Sequence, residues 1–161
     1  MATITKNTKD ARVQLGSTPW GNLSALPYKV QTNASGAVIG SDTTAAVASG
    51  DKVRVGLLPA GFRFVDSEVI VSDAWTAAVT ANLGFEYVDG VDDAAVPQSA
   101  TYFGSALAVN ALGRLRNATT NAPVVLQKEA WLILTTGGAA NASASVTDIV
   151  VFGIAEGTVN G

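Results

Sequence analysis

Cysteine and histidine are both absent from this chain of 161 residues. Their absence excludes Ser-His-Asp and Cys-His nucleophilic machinery, His- or Cys-ligated zinc and disulfide staples; only carboxylate chemistry and oxygen-ligated metals stay open. Charge is scarce as well. Asp, Glu, Lys and Arg make up 14% of the residues, well under the usual share of about a quarter, and mean hydropathy is +0.29. Much of the surface must therefore be neutral, covered by Ala, Gly, Thr, Ser and Asn, which suits packing against neighbours. Long hydrophobic runs are missing too: none approaches the roughly 18 residues of a membrane span, and the opening MATITKNTKDARVQ lacks the apolar centre of a signal peptide. The expectation is a soluble protein made in the cytosol, with no membrane partner.

The length is that of one domain, enough to bury roughly two-thirds of its unfolded surface without cross-links. The net charge of -3 is unevenly spread. Residues 1–30 carry Lys6, Lys9, Arg12 and Lys29 against Asp10, a net +3, and the remainder carries -6. Residues 1–25, rich in Thr, Asn, Lys and Gly, read as an extended basic arm on an acidic body. Its Lys6, Lys9, Arg12 and Trp20 are the candidate partner-binding residues. Residues 26–161 read as a single domain.

That domain is strand after strand. Tyr28, Val30 and Thr32 alternate with polar neighbours, Asn33 to Gly36 turns the chain into a short Ala37 to Ile39 stretch, and Lys52 to Leu58 puts Val53, Val55 and Leu57 on one face. After the Pro59-Ala60-Gly61 turn, Phe62 to Ser72 changes phase. Phe62, Phe64 and Ile70 lie on one parity and Val65, Val69 and Val71 on the other, so either both faces are covered or a bulge resets the strand near Asp66. Val79 to Val88 alternates throughout, with Val79, Ala81, Leu83, Phe85 and Tyr87 toward a core. Val124 to Leu126, Ala130 to Thr136 and Val146 to Ala155 follow. Tyr102, Phe103, Ala106, Leu107 and Val109 are spaced as on a short helix over 101–112. The pattern predicts an all-β fold, an antiparallel β-sandwich of jelly-roll-like form. Val53, Val55, Leu57, Leu83, Phe85, Val150 and Phe152 are expected to face inward together.

Candidate sites have plainer readings. Asp89, Asp92 and Asp93 cluster oxygen ligands of the kind calcium needs, but lack the spacing of a calcium loop and read more simply as a solvated turn. Glu68 and Glu86, if they faced one another across a sheet, would permit glycoside hydrolysis, with Trp20, Trp75 and Trp131 as platforms for sugar rings. The plainer reading is a solvent-facing pair and core or interface aromatics. Arg114 and Arg116 bracket Leu115 and point to one face, too few cations for a nucleic-acid surface and better suited to rim salt bridges. No catalytic, cofactor-binding or metal-binding residue is expected, and no nucleic acid.

The run GDKVRVGLLPAGFRFVDSEVIVSD (residues 50–73), the segments ANLGFEY (81–87), YFGSA (102–106) and APV (122–124), and the closing strand around Ile149 to Phe152 resemble a family of small virion structural proteins of tailed phages. Its characterised relatives are jelly-roll cement, or decoration, proteins on the outside of the head. The resemblance covers about residues 50–152 and leaves out the arm. It implies a structural, non-enzymatic virion protein synthesised in the host cytoplasm and bound to the capsid outer surface. The implied partners are the major capsid protein and copies of itself, as dimer or trimer. A tail-associated or receptor-binding sandwich that recognises carbohydrate through exposed Trp, and a carbohydrate-active enzyme using Glu68 and Glu86, are the alternatives.

Overall fold

The computed structural model describes residues 1–5 and 23–156. Nine strands, and no helix among the described residues, form two sheets. They are β1 (Thr3–Thr5), β2 (Leu23–Thr32), β3 (Lys52–Leu58), β4 (Phe62–Asp73), β5 (Thr80–Tyr87), β6 (Ser99–Leu107), β7 (Gly113–Arg116), β8 (Ala130–Gly137) and β9 (Ser145–Ala155). One sheet runs β1-β3-β8-β5-β6 and the other β2-β9-β4-β7. Apart from the β5–β6 hairpin, each strand from β2 to β9 crosses to the opposite sheet from its predecessor, so the all-β sandwich is jelly-roll-like. Every pairing between named strands is antiparallel except that of β1 with β3, which is parallel.

The core lies between the sheets and is centred on aromatic rings. Phe64 on β4 meets Phe103 (4.9 Å between ring centroids), Tyr102 (5.5 Å) and Phe85 (5.7 Å) from the facing sheet. These rings meet tilted or edge to face, the arrangement favoured by their quadrupoles. The phase change in β4 is a bulge: the register with β9 shifts between Phe64 and Asp66. Phe62 and Phe64 face inward before it and Ser67, Val69 and Val71 after it, while Val65 is left 47% exposed.

Three expectations need correction. The helix-like spacing after Thr101 belongs to β6, an edge strand whose register against β5 shifts twice. The extra residues let consecutive Tyr102 and Phe103 both turn into the core, which imitates helical periodicity. Leu57 is buried, but a shift in β3 between Arg54 and Gly56 sends it to the outer face. There it clusters with Trp131 and Ile133, apart from the main core. Val150 and Phe152 are half-buried on the outer face of β9, and Ile149 and Val151 face the core instead. Val53, Val55, Leu83 and Phe85 face inward as expected. Val124 to Leu126 runs beside β4 but makes only a single bridge, Val125 with Arg63.

Candidate contact faces

The outer face of the four-stranded sheet is built in rows set by strand register. Pro27, Val150, Glu68 and Arg116 form one row, and Lys29, Asp148, Ile70 and Arg114 the next. Val146, Val150, Phe152 and Ile154 make an apolar line along the central strand β9, none of them fully buried. Asp148 interrupts that line between Val146 and Val150, and the charges on the face pair with one another. Lys29 meets Asp148 at 3.4 Å, Arg114 meets Glu68 at 3.1 Å, and Arg116 meets Asp66. Arg114 and Arg116 thus share a face, as their spacing predicts, and act as cross-strand partners of carboxylates. A face with an apolar centre and internally paired charges can lose water without stranding an unpaired ion.

The outer face of the five-stranded sheet joins the apolar cluster of Leu57, Trp131 and Ile133 to a braced set of charges. Glu86 on β5 receives Lys52 Nζ on one oxygen (2.5 Å) and Arg54 Nε on the other (2.7 Å). Partial burial pushes its carboxyl up, but the hydrogen bonds from Lys52 and Arg54 outweigh that, and the net position is below the ordinary value. Arg54 also lies over the Trp131 ring at 5.7 Å. Glu68 and Glu86 therefore sit on strands of different sheets, each bound to its own cation, and do not form a facing pair.

The tryptophans are not platforms where they are described. Trp75 is 2% exposed and Trp131 9%. Trp20 lies outside the described residues, as do Lys6, Lys9 and Arg12.

The acidic turn after β5 uses its carboxylates on backbone N–H groups. Asp89 accepts from Val91, Asp92 from Gln98, and Asp93 from Ala95 and Val96, while Lys128 bonds Asp89 at 2.9 Å. The Lys128 hydrogen bond, and then that of Val91, hold Asp89 below the ordinary carboxylate range. Among the described residues no group of three Asp or Glu side chains converges as a metal site. Tyr87 beside this turn donates its hydroxyl to the Val96 carbonyl at 2.7 Å, and burial pushes its pKa up to about 12.

A cleft of about 430 Å³ opens between β6 and the loop after β7, lined by Thr101, Ser105, Leu107, Arg116, Thr119 and Asn121. Three of its polar groups are already committed. Thr119 Oγ1 and Asn121 Nδ2 both donate to the Tyr102 carbonyl, at 3.1 and 2.8 Å, and Arg116 is held by Asp66. No acid–base pair lines it.

No family model matches the chain, and no curated protein matches its sequence. Two solved structures do match it in three dimensions. One is a chain of the capsid of Ralstonia phage GP4, with a TM-score of 0.67, 16% identity, and coverage of 98% of this chain and 99% of that one. The other belongs to the cyanophage Pam1 capsid asymmetric unit, with a TM-score of 0.56, 21% identity, and coverage of 92% and 97%. Both matched chains come from phage capsids. At these identities the likeness is one of fold. The signal legible in the sequence was the strand-and-turn pattern over residues 50–152; the paired charges of the outer face were not legible, because they join strands distant in the chain.

Proposed function

We propose that this chain is a capsid cement, or decoration, protein that binds the outer surface of a phage head and stabilises the shell at the seams between capsomers. The observation that carries the reading is the fold match to chains of two phage capsids, which covers nearly all of this chain and nearly all of each of theirs. The chemistry is consistent with a structural role. Among the described residues, each carboxylate singled out as a possible reagent is paired or bonded to backbone, and the outer face of β2-β9-β4-β7 is suited to dry contact. The partners are the major capsid protein and copies of this chain.

The arm is part of the proposal, with Lys6, Lys9, Arg12 and Trp20 as contacts to the shell, while β1 at its start and the residues from Leu23 on, which begin β2, belong to the sandwich that spans the seam. An interface of about 1,200–2,000 Å² per contact adds a small increment at each seam once association costs are met, and the increments accumulate over the shell. Particles lacking the protein are expected to release DNA at lower temperature than complete ones, and purified protein added back should restore them. Identical release with and without it would overturn the reading.

A further inference from the structure

The strand β1 is short, and it is the only parallel partner in either sheet among the named strands. It is nevertheless held at both ends and in the middle. Ala2 N–H donates to Asp51 Oδ1 at 2.7 Å and the Ala2 carbonyl accepts from Lys52 N–H at 2.9 Å. At the other end Thr5 N–H donates to Asp42 Oδ1 and the Thr5 carbonyl accepts from Asp42 N–H, both at 3.0 Å. Between them Ile4 is 1% exposed and belongs to the main core. Asp51 is itself buried and fixed, since its second oxygen accepts Ala48 N–H at 2.9 Å. Residues 42–54 thus form a socket that reads backbone groups and one apolar side chain.

Nothing in the chain's length ties this strand to its own socket. Residues 6–22 separate β1 from β2, and a fully extended chain of that length reaches about 60 Å, more than the breadth of about 40 Å expected for a domain of this size. The socket carries Asp42 and Asp51 beside Lys52 and Arg54 and is neutral overall, so an arriving strand is recognised by its backbone hydrogen bonds and by the buried seat of Ile4.

We propose that β1 is an exchangeable strand: between adjacent copies, Met1 to Thr5 of one copy occupies the 42–54 socket of the next, anchored by Ile4. The contacts made are the same in either case, so exchange costs little in strand energy, and the local concentration of sockets decides the outcome. A dilute chain fills its own socket. Copies held side by side fill one another's and become linked. This deepens the cement reading, which supplies such neighbours.

Because the chain has no cysteine, the variant Thr3→Cys with Lys52→Cys, at residues paired in the β1–β3 register, supplies the only two thiols, and a 3–52 disulfide, identified by its linked peptide, marks a filled socket. In dilute solution it should close within the chain and run as a monomer without reducing agent. Bound to particles, or refolded at high concentration, it should run mostly as covalent dimers and larger species. Monomers with no free thiol under both crowded conditions would overturn the proposal. Should the double variant fail to fold, an equimolar mixture of the two single variants decides: a linked peptide joining residue 3 of one to residue 52 of the other supports exchange, and its absence after crowding refutes it. Failure to bind particles would remove the cement reading while the concentrated-solution arm still decides exchange.

Discussion

The indole N–H of Trp75 donates to Thr147 Oγ1 at 2.8 Å, and both residues are buried. The bond ties the segment after β4 to the first residues of β9 and explains why a threonine sits in the core. Replacing Thr147 by Val keeps the shape and strands the indole donor, which should cost about 1–3 kcal/mol. The measurement is a denaturant titration, in which the midpoint falls and the slope stays the same. An unchanged midpoint would show that the bond contributes nothing.

Gly84 is required by close approach rather than by backbone angle. A Cβ there would lie 2.0 Å from the Ser99 carbonyl oxygen, because the backbone of β6 passes directly over it. Gly84→Ala should therefore displace the start of β6 and destabilise the fold by about 1–3 kcal/mol or more. Gly90, at φ +72 with open space around it, should lose only about 1 kcal/mol on the same change. Equal thermal midpoints for the two variants would refute the close-approach argument.

The Glu86 carboxyl lies below its ordinary value in the fold. A depressed carboxyl contributes stability that is present above the unfolded-state value and lost as pH falls through the folded-state value. Glu86→Gln should thus be less stable than the parent near neutrality, by about 1 kcal/mol for a half-buried network still screened by solvent. The gap should close below the ordinary carboxylate range. Thermal melts at a series of acidic pH values test this, and a gap that widened on acidification would contradict the sign.

If the arm holds the protein on the shell, reversing its charge should release it. The triple change Lys6→Glu, Lys9→Glu and Arg12→Glu is expected to lower particle occupancy severalfold. The effect should weaken with added salt as the charges are screened. The melting temperature of the free protein should stay within a degree or two if these side chains act on the shell and not within the sandwich. Full occupancy by cosedimentation would show that attachment lies elsewhere, with the β2-β9-β4-β7 face the next surface to test.

Much of the architecture is legible without coordinates. Alternation in 79–88 places Ala81, Leu83, Phe85 and Tyr87 inward, and all four are at most 1% exposed. The parity conflict in β4 marks a bulge near Asp66, and the register breaks there. The Asn33 to Gly36 turn follows from its residues: Asn33 Oδ1 accepts Ser35 and Ala37 N–H, and Gly36 takes φ +81. These features are local. Each depends on neighbours a few positions away, so composition and period suffice to find them.

The sequence by itself determined that this is an all-β chain without Ser-His-Asp or Cys-His machinery or disulfides, and where most of its strands run. It did not determine which face of a strand turns inward where both faces are apolar. In β9 the line Val146, Val150, Phe152 and Ile154 is the more hydrophobic, yet Ser145, Thr147, Ile149, Val151 and Gly153 face the core. The tertiary structure decided that through partners far along the chain. Ser145 Oγ meets Thr32 Oγ1 at 2.7 Å, Thr147 takes the Trp75 indole, and Gly153 admits the Phe62 ring, which would stand 2.3 Å from an added Cβ. A period-two pattern reports how apolar a face is. The polar pairings and close approaches that make the other face the better fit exist only once the sheets have met.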